Sequence, residues 1–175
     1  MFANTSWNWK RPFLVIAFLT VLAGLFLVVN VSQATPPAGV TPEPIAAGQL
    51  PSTFNAIFVD KGQDGTFKQV RSDVDQIVMI KFTVAPGGHF GWHQHGGPLW
   101  VVVASGTLGY YGADDPTCTP VIFGPGSAFM DPGSVTHTAR NEGADNVVIY
   151  VTFMLPEGGL PRIDVDHPGV CDFLP

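Results

Sequence analysis

From residue 54 to residue 155, short runs rich in β-branched and aromatic residues alternate with clusters of Gly, Pro, Asn and Asp. Runs of this length, separated by turn residues, predict β-strands. The predicted strands cover residues 56–60, 66–70, 76–85, 99–104, 107–111, 121–123, 127–130, 137–140 and 146–155. After residue 35, no stretch has the apolar period of a helix. The pattern therefore predicts an all-β sandwich or barrel.

The N-terminal segment has a different pattern. Lys10 and Arg11 precede an apolar run at 12–31, which is about the length that spans a bilayer. Basic residues before such a run keep that end cytoplasmic. Ser-Gln-Ala at 32–34 offers the small residues of a signal-peptidase site. The segment is predicted to be a cleaved signal peptide or a transmembrane anchor. Either way, residues 35–175 are exported: secreted, periplasmic or held outside the cytoplasmic membrane.

Residues 35–51 contain five prolines and almost no large apolar side chain. This composition is typical of an extended linker. The predicted organisation is therefore a signal or anchor at 1–34, a Pro-rich linker at 35–51 and one β-barrel domain at 52–175. A single domain also suits a chain of 175 residues.

The charge balance is acidic, with 14 Asp and Glu against 8 Lys and Arg. Two of the basic residues and none of the acidic ones lie in the first 34 residues, so removal of that segment would leave 14 acids and 6 bases. An acidic surface without a basic run repels phosphate backbones. The composition argues against a nucleic-acid partner and leaves the N-terminal segment as the predicted membrane contact.

Cys118 and Cys171 are the only cysteines, and both lie in the predicted exported part. An oxidising compartment favours a disulfide between them, which would tie the C-terminal tail to a loop. Two unrelated thiols are the alternative. Neither cysteine has a close Cys or His neighbour, which argues against a metal role.

His93 and His95 form an H-x-H pair after the longest predicted run of the 54–155 region. Alternate residues of a strand point to the same face, so this pair can share a metal ion. The wider spacing is more specific, because five residues separate Gly87 from the pair and three separate the pair from Leu99. Gly106 follows after six more. This pattern resembles the first motif of the cupin family, with Leu99 in place of the usual Glu.

A second pattern lies further along the chain: Gly126, five residues, Pro132-x-Ser134, two residues, His137, three residues and Asn141. It resembles the second cupin motif, with Ser134 in place of Gly. The resemblance spans about residues 75–155 and is closest to small exported bacterial cupin-domain proteins. It implies a single jelly-roll barrel, and it also allows a homodimer, because many single-domain cupins dimerise.

The resemblance implies one divalent transition metal, with His93, His95 and His137 as its ligands. Leu99 occupies the position of the carboxylate ligand and cannot coordinate. Three neutral imidazoles leave the full 2+ charge on the ion and open positions for other ligands. Iron is the expected metal, because all-histidine cupin centres occur among iron-dependent dioxygenases. Zinc, nickel, copper or manganese also suit this ligand set.

Other polar residues have structural interpretations. We expect His89 to be a solvent-exposed loop histidine, with metal ligation as the alternative. His167 is expected to be solvated, and Asp114 and Asp115 to form a turn. Three aromatic residues near the histidines are interpreted either as core or as pocket lining: Phe90, Trp92 and Trp100.

Two hypotheses on function follow. The first is a metal-dependent oxidoreductase of the dioxygenase kind, acting on a small organic molecule. The second is a non-catalytic exported cupin that binds a small ligand or a metal, since the fold alone does not decide between them. Leu99 argues against oxalate chemistry, which in cupins uses a glutamate-containing manganese site. The motifs contain no obvious general base, so no catalytic residue is assigned.

Overall fold

A computed structural model of the protein describes residues 34–61 and 67–171. All regular structure in these residues is β, which confirms the predicted fold class. The strands are β1 (Ala38–Lys61), β2 (Phe67–His89), β3 (His93–Gln94), β4 (Leu99–Ser105), β5 (Leu108–Gly112), β6 (Val121–Phe123), β7 (Ala128–Asp131), β8 (His137–Asn141), β9 (Val147–Leu155) and β10 (Ile163–Asp164).

Within the described part of the chain, no helix has the length and hydropathy needed to cross a membrane. The predicted signal or anchor segment lies outside the described residues, apart from Ala34.

The strands pair antiparallel in the order β10-β3-β8-β2-β9-β4-β7. β1 lies on β2, and β5 pairs with both β8 and β6. One layer thus contains β1, β2, β9, β4 and β7, and the other contains β10, β3, β8, β5 and β6. The layers join where His89 of β2 pairs with Arg140 of β8. The result is a nearly closed barrel of the jelly-roll type.

Side-chain alternation along β4 and β9 builds the barrel interior. Successive residues of a strand point to opposite faces, and in both strands every second residue is buried. Each buried aliphatic side chain contributes about 1.5–3 kcal/mol relative to an exposed one. The inward residues of the two strands are Leu99, Val101, Val103, Val147, Ile149, Val151, Phe153 and Leu155.

Residues 38–51 correct the prediction of a linker, because they form the first half of β1. Val40 pairs with Val84, and Glu43 pairs with Lys81, whose Nζ lies 2.8 Å from the Glu43 carboxylate. In the described residues β1 pairs only with β2, so it is an edge strand. Proline is compatible with an edge strand because its missing N–H can face away from the partner, and register shifts in β1 absorb the remaining irregularity.

The sequence also divided β2 into two predicted strands, 66–70 and 76–85, whereas the structure has one continuous strand from Phe67 to His89. The two-residue strands β3 and β10 were not predicted. Both are too short to carry a period, and they exist because they pair with each other.

Cys118 and Cys171 form a disulfide, as predicted. Their Cα atoms lie 5.4 Å apart, within the usual range for disulfides. The bond joins the loop between β5 and β6 to the chain after β10. Cys171 is buried against Trp92 and Tyr111 in a second apolar cluster beside the main core. The tail is therefore held against the wall of the barrel near β3.

We expect Cys118→Ser/Cys171→Ser to lower the free energy of unfolding by up to about 4 kcal/mol, because the bond closes a loop with a sequence separation of 53. Urea unfolding followed by tryptophan fluorescence measures the change. Wild-type protein treated with a reductant is the control and should match the variant. Equal midpoints for the variant and the oxidised wild type would contradict the prediction, as would two alkylated thiols in unreduced protein.

Candidate metal centre

The pairing of β3 with β8 brings two of the predicted ligands together. His93 and His137 are direct partners in this antiparallel pair, and their ring centroids lie 4.4 Å apart. His95 follows β3, and its backbone N–H donates to the carbonyl of Gly133 at 2.8 Å. The three side chains are buried, and one ring nitrogen of each lies within 4.8 Å of the others.

Each imidazole donates a hydrogen bond from Nδ1–H to a backbone carbonyl. The donor–acceptor pairs are His93 to Gly91 at 2.8 Å, His95 to Pro161 at 2.5 Å and His137 to Val135 at 3.0 Å. Because a carbonyl oxygen only accepts, each Nδ1 carries the proton and each Nε2 presents a lone pair. Such bonds fix the tautomer and the ring orientation of metal-binding histidines.

The donor set fits a metal ion. The Nε2 atoms of His95 and His137 face each other at 3.3 Å, and with both Nδ1 atoms protonated neither Nε2 can donate to the other. Two nitrogens that bind one ion at about 2.0–2.1 Å lie roughly 2.8–3.0 Å apart for an octahedral angle and roughly 3.3–3.4 Å apart for a tetrahedral one. A cation would satisfy both lone pairs, and His93 would supply the third donor.

Burial keeps the three imidazoles neutral. It is the main cause that lowers the pKa of His93, and it lowers the pKa of His95 to about 4. Burial also lowers the pKa of His137, although the nearby Asp131 charge opposes the shift. All three rings are therefore unprotonated at neutral pH, the form that coordinates metal ions.

Gly91 holds the carbonyl that accepts from His93. Its φ is +69°, a left-handed conformation that favours glycine. A Cβ at this position would also overlap the carbonyl oxygen of Thr35. The close approach of residue 35 to this turn therefore requires glycine, and we infer that a larger residue there would displace the His93 acceptor.

A buried carboxylate supports His137 from the side opposite its Nε2. Asp131, at the end of β7, is 1% exposed, and its Oδ2 lies 3.4 Å from His137 Nδ1. Oδ2 accepts from the Tyr110 hydroxyl at 2.9 Å, and Oδ1 accepts from the Gly133 N–H at 2.6 Å. The Tyr110 ring stacks on His137. Asp131 and Tyr110 therefore orient this imidazole and do not belong to the three-histidine group.

The three histidines line a cavity of about 250 Å³ inside the barrel. Its wall is mainly aliphatic and aromatic, and its other polar side chains are Tyr110, Asp131 and Arg162. The lining residues are Ile80, Phe82, Phe90, His93, His95, Leu99, Val101, Leu108, Tyr110, Phe129, Asp131, His137, Ala139, Ile149, Val151, Phe153, Pro161 and Arg162.

The aromatic candidates separate into three environments. Phe90 lines the cavity. Trp92 is fully buried, but it lies in the disulfide cluster with Tyr111 and Cys171. Trp100 points outward from β4 and is 46% exposed. Phe90 alone of the three is therefore part of the candidate site.

His89 differs from its expected environment. It is buried in β2 beside Arg140 and is not solvent-exposed, and burial is the main cause that lowers its pKa. The hydrogen-bonded pairing of β2 with β8 extends further than the Gly-rich sequence indicates, and this extension encloses the ring. In the described residues, the three-histidine group does not include His89.

The remaining candidates can also be placed. His167 is half-buried, with its ring against Trp92. Asp115 accepts hydrogen bonds from the backbone N–H groups of Thr117 and Thr119, as expected for a turn former. Leu99 is buried and lines the cavity.

Sequence reasoning missed three polar residues of the cavity: Tyr110, Asp131 and Arg162. The predicted strand at 127–130 stops before Asp131, which occupies the last position of β7, opposite Leu99. Tyr110 lies in a predicted strand, and nothing in the surrounding sequence indicates that its hydroxyl has a role in a site. Arg162 lies outside both motifs, and only the return of the chain to β3 brings it to the cavity.

The fold and the site together define a β-barrel protein with a buried three-histidine centre that can hold a metal ion. Residues 80–153 match the family model of the cupin domain, Cupin_2. This match supports a cupin domain in this part of the barrel. No curated protein matches the sequence.

Several solved structures are similar to this chain. The polyketide cyclase RemF from Streptomyces resistomycificus has a TM-score of 0.51 at 18% identity, over 77% of each chain. KdgF from Halomonas sp. has a TM-score of 0.43 at 16% identity, over 69% of this chain and 83% of that one. The Cupin_2 domain of an XRE family transcriptional regulator from Enterobacter cloacae also has a TM-score of 0.43 at 16% identity, over 68% of this chain and 99% of that one. The likeness to the cyclase concerns the fold.

We expect the protein to bind about one transition metal per chain, and His93→Ala/His137→Ala to abolish this binding, because two of the three converging Nε2 donors are lost. Elemental analysis after metal loading and gel filtration measures the ratio. His167→Ala is the control, since it removes an imidazole outside the group and should retain the metal. Full occupancy in the double variant would show that the metal binds elsewhere.

We expect Leu99→Glu to increase the affinity for divalent metal, particularly manganese, because it adds an oxygen ligand at the cavity wall. Without metal the variant should be less stable, since Leu99 lies opposite the buried Asp131 and a second carboxylate would repel it. Azide should bind more weakly, because the charge of the site falls by one. Thermal melting and metal titration measure these effects.

Leu99→Gln is the matched control for shape, and it should lose stability without the gain in manganese affinity. A Leu99→Glu protein that melts at a lower temperature and binds metal as the wild type does would show that this side chain does not reach the ion.

Proposed function

We propose that the protein is an exported cupin that holds one divalent transition metal, iron(II) first of all, through His93, His95 and His137. In this proposal it acts as a dioxygenase-like oxidoreductase on a small organic molecule. The observation that carries the proposal is the set of three Nε2 lone pairs at the wall of an apolar cavity of about 250 Å³. Such a cavity has room for a small ligand beside the ion.

Iron(II) held by three neutral donors would supply open coordination positions and redox chemistry with dioxygen. The protein's own residues would orient and enclose the reactants. The Nδ1–carbonyl bonds fix the imidazoles before any ligand arrives. The aliphatic and aromatic wall would exclude water, which strengthens electrostatic interactions in the site.

Tyr110 would act as a hydrogen-bond donor in this site. Burial raises the pKa of its hydroxyl, and the Asp131 charge raises it further. The group therefore stays protonated at neutral pH and keeps its bond to Asp131. That bond in turn keeps the carboxylate beside His137.

A non-catalytic cupin that captures a small ligand or a metal is the alternative, and one observation favours it. Asp131 is the only carboxylate among the described residues that line the cavity, and its oxygens already accept from Tyr110 and Gly133. No lining carboxylate is thus available as a general base. The two proposals share the site and differ in whether bound ligand is transformed.

Two observations of different kinds support the proposed export of the protein. The disulfide between Cys118 and Cys171 is typical of proteins from oxidising compartments. The basic and apolar pattern of the first 34 residues supplies the proposed route out of the cytoplasm. The likeness to the polyketide cyclase is one of fold and adds no reaction to this proposal.

We expect iron(II)-loaded protein to consume dioxygen when supplied with a small thiol, a diketone or an aromatic acid. An oxygen electrode measures uptake, and mass spectrometry identifies the oxidised product. Zinc-loaded protein and His93→Ala/His137→Ala are the controls, and neither should consume oxygen. Probes that raise the melting temperature of the iron-loaded protein without oxygen uptake would favour the non-catalytic alternative.

A further inference from the structure

The segment between β9 and β10 closes one side of the histidine cavity. The Leu160 carbonyl accepts from the Gly96 N–H at 2.9 Å, and the Pro161 carbonyl accepts from His95 Nδ1 at 2.5 Å. Directly afterwards, β10 pairs with β3. Arg162 lies between these contacts and lines the cavity together with the three histidines. Because the backbone is fixed on both sides, the Arg162 side chain is held at the cavity.

The guanidinium of Arg162 is only partly satisfied. Its Nε donates to Asp164 Oδ1 at 2.6 Å. Its Nη2 is buried and has no hydrogen-bond acceptor among the described residues. A buried N–H of a charged group that lacks an acceptor is costly. The unpaired Nη2 therefore indicates a bound ligand that supplies the missing hydrogen-bond acceptor.

The charge of Arg162 acts on the three histidines of the cavity. Burial is the main cause that lowers the pKa values of His93, His95 and His137, and the Arg162 charge lowers all three further. The guanidinium therefore lies close enough to influence whatever occupies the space between these rings.

The charge balance of the cavity favours an anion. The three imidazoles are neutral, and a divalent ion would add two positive charges to that of Arg162. Asp131 offsets one of these charges, and Asp164, which pairs with Arg162 and is 56% exposed, offsets another, so one positive charge remains. The remaining wall is mainly apolar and cannot screen the excess positive charge.

We propose that Arg162 is a ligand-binding residue that pairs with the carboxylate of a small, mostly apolar monocarboxylic acid. The apolar part of the acid would lie against the aromatic wall formed by Phe90, Phe129 and Phe153. This inference rests on the proposed function in one respect, since it takes the same cavity as the substrate site. It narrows the substrate class to a monocarboxylate.

The cavity supports a small acid. Its volume of about 250 Å³ is below the range of about 300–1,000 Å³ that accommodates drug-sized ligands. A planar guanidinium presents paired N–H donors that match the two oxygens of a carboxylate. An amide of the same shape offers one acceptor and no charge, so acid and amide form a matched pair of probes.

The test uses zinc-loaded full-length protein, which cannot turn over a substrate by oxidation. Isothermal titration measures the binding of benzoate, phenylacetate and hexanoate and of the three corresponding amides. We expect at least one acid to bind more tightly than its amide. We expect Arg162→Met to weaken the binding of that acid about 10- to 100-fold, as for the loss of a hydrogen bond to a charged group, and to weaken amide binding much less.

Two further variants separate charge from geometry. Arg162→Lys retains the positive charge but lacks the paired N–H donors of the planar guanidinium. Its affinity for the acid should therefore fall between those of the wild type and Arg162→Met. Arg140→Met is the matched control, because Arg140 pairs with Glu142 and does not line the cavity. It should bind the acids as the wild type does. Melting temperature and zinc content establish that each variant is folded and loaded.

Acid binding that is unchanged in folded, zinc-loaded Arg162→Met would overturn the inference, and so would amides that bind as tightly as their acids. A different outcome would contradict only the proposed oxidoreductase function. If acids bind in an Arg162-dependent way and the iron-loaded protein consumes no oxygen with them, Arg162 retains its role and the protein is a carboxylate-binding cupin.

Discussion

The hydrogen bonds from three imidazole Nδ1 atoms to backbone carbonyls are the interactions on which the chemistry of this barrel depends. They set the tautomer of each ring, so all three Nε2 lone pairs face one point. The acceptors belong to Gly91, Val135 and Pro161, which lie in three separate turns. The strand pairing of the barrel must therefore be complete before the donor set exists, so a bound metal ion would stabilise the fold.

The buried carboxylate of the site, Asp131, lies opposite Leu99 on the neighbouring strand. By the resemblance to the cupin motif, Leu99 occupies the position at which a glutamate ligand is expected. Asp131 reaches the Nδ1 side of His137 rather than the Nε2 side. Its charge therefore orients His137. An ion held at the three ring nitrogens would not be neutralised by it directly and would keep coordination positions for exogenous groups.

The C-terminal segment connects the site to the disulfide. Residues 160–165 lie along β3 and its flanks through the Leu160, Pro161 and β10 contacts. A few residues later, the Cys118–Cys171 disulfide fixes the tail against the cluster around Trp92. The segment that carries the His95 acceptor and Arg162 is thus held at both ends. We infer that reduction of the disulfide would loosen this segment more than the β4–β9 core.

The sequence by itself determined the fold class and most strand positions, because period-2 runs and turn residues encode them locally. It also indicated the disulfide, since the chain has only two cysteines, and the resemblance to the cupin motifs implied that His93, His95 and His137 come together. It did not determine that the proline-rich residues 38–51 form an edge strand, because this pairing requires an unpaired backbone edge of β2. Nor did it reveal the burial of His89 or the cavity roles of Tyr110, Asp131 and Arg162. Only tertiary structure decided these, since each depends on a contact between segments far apart in the chain, for which no local pattern exists.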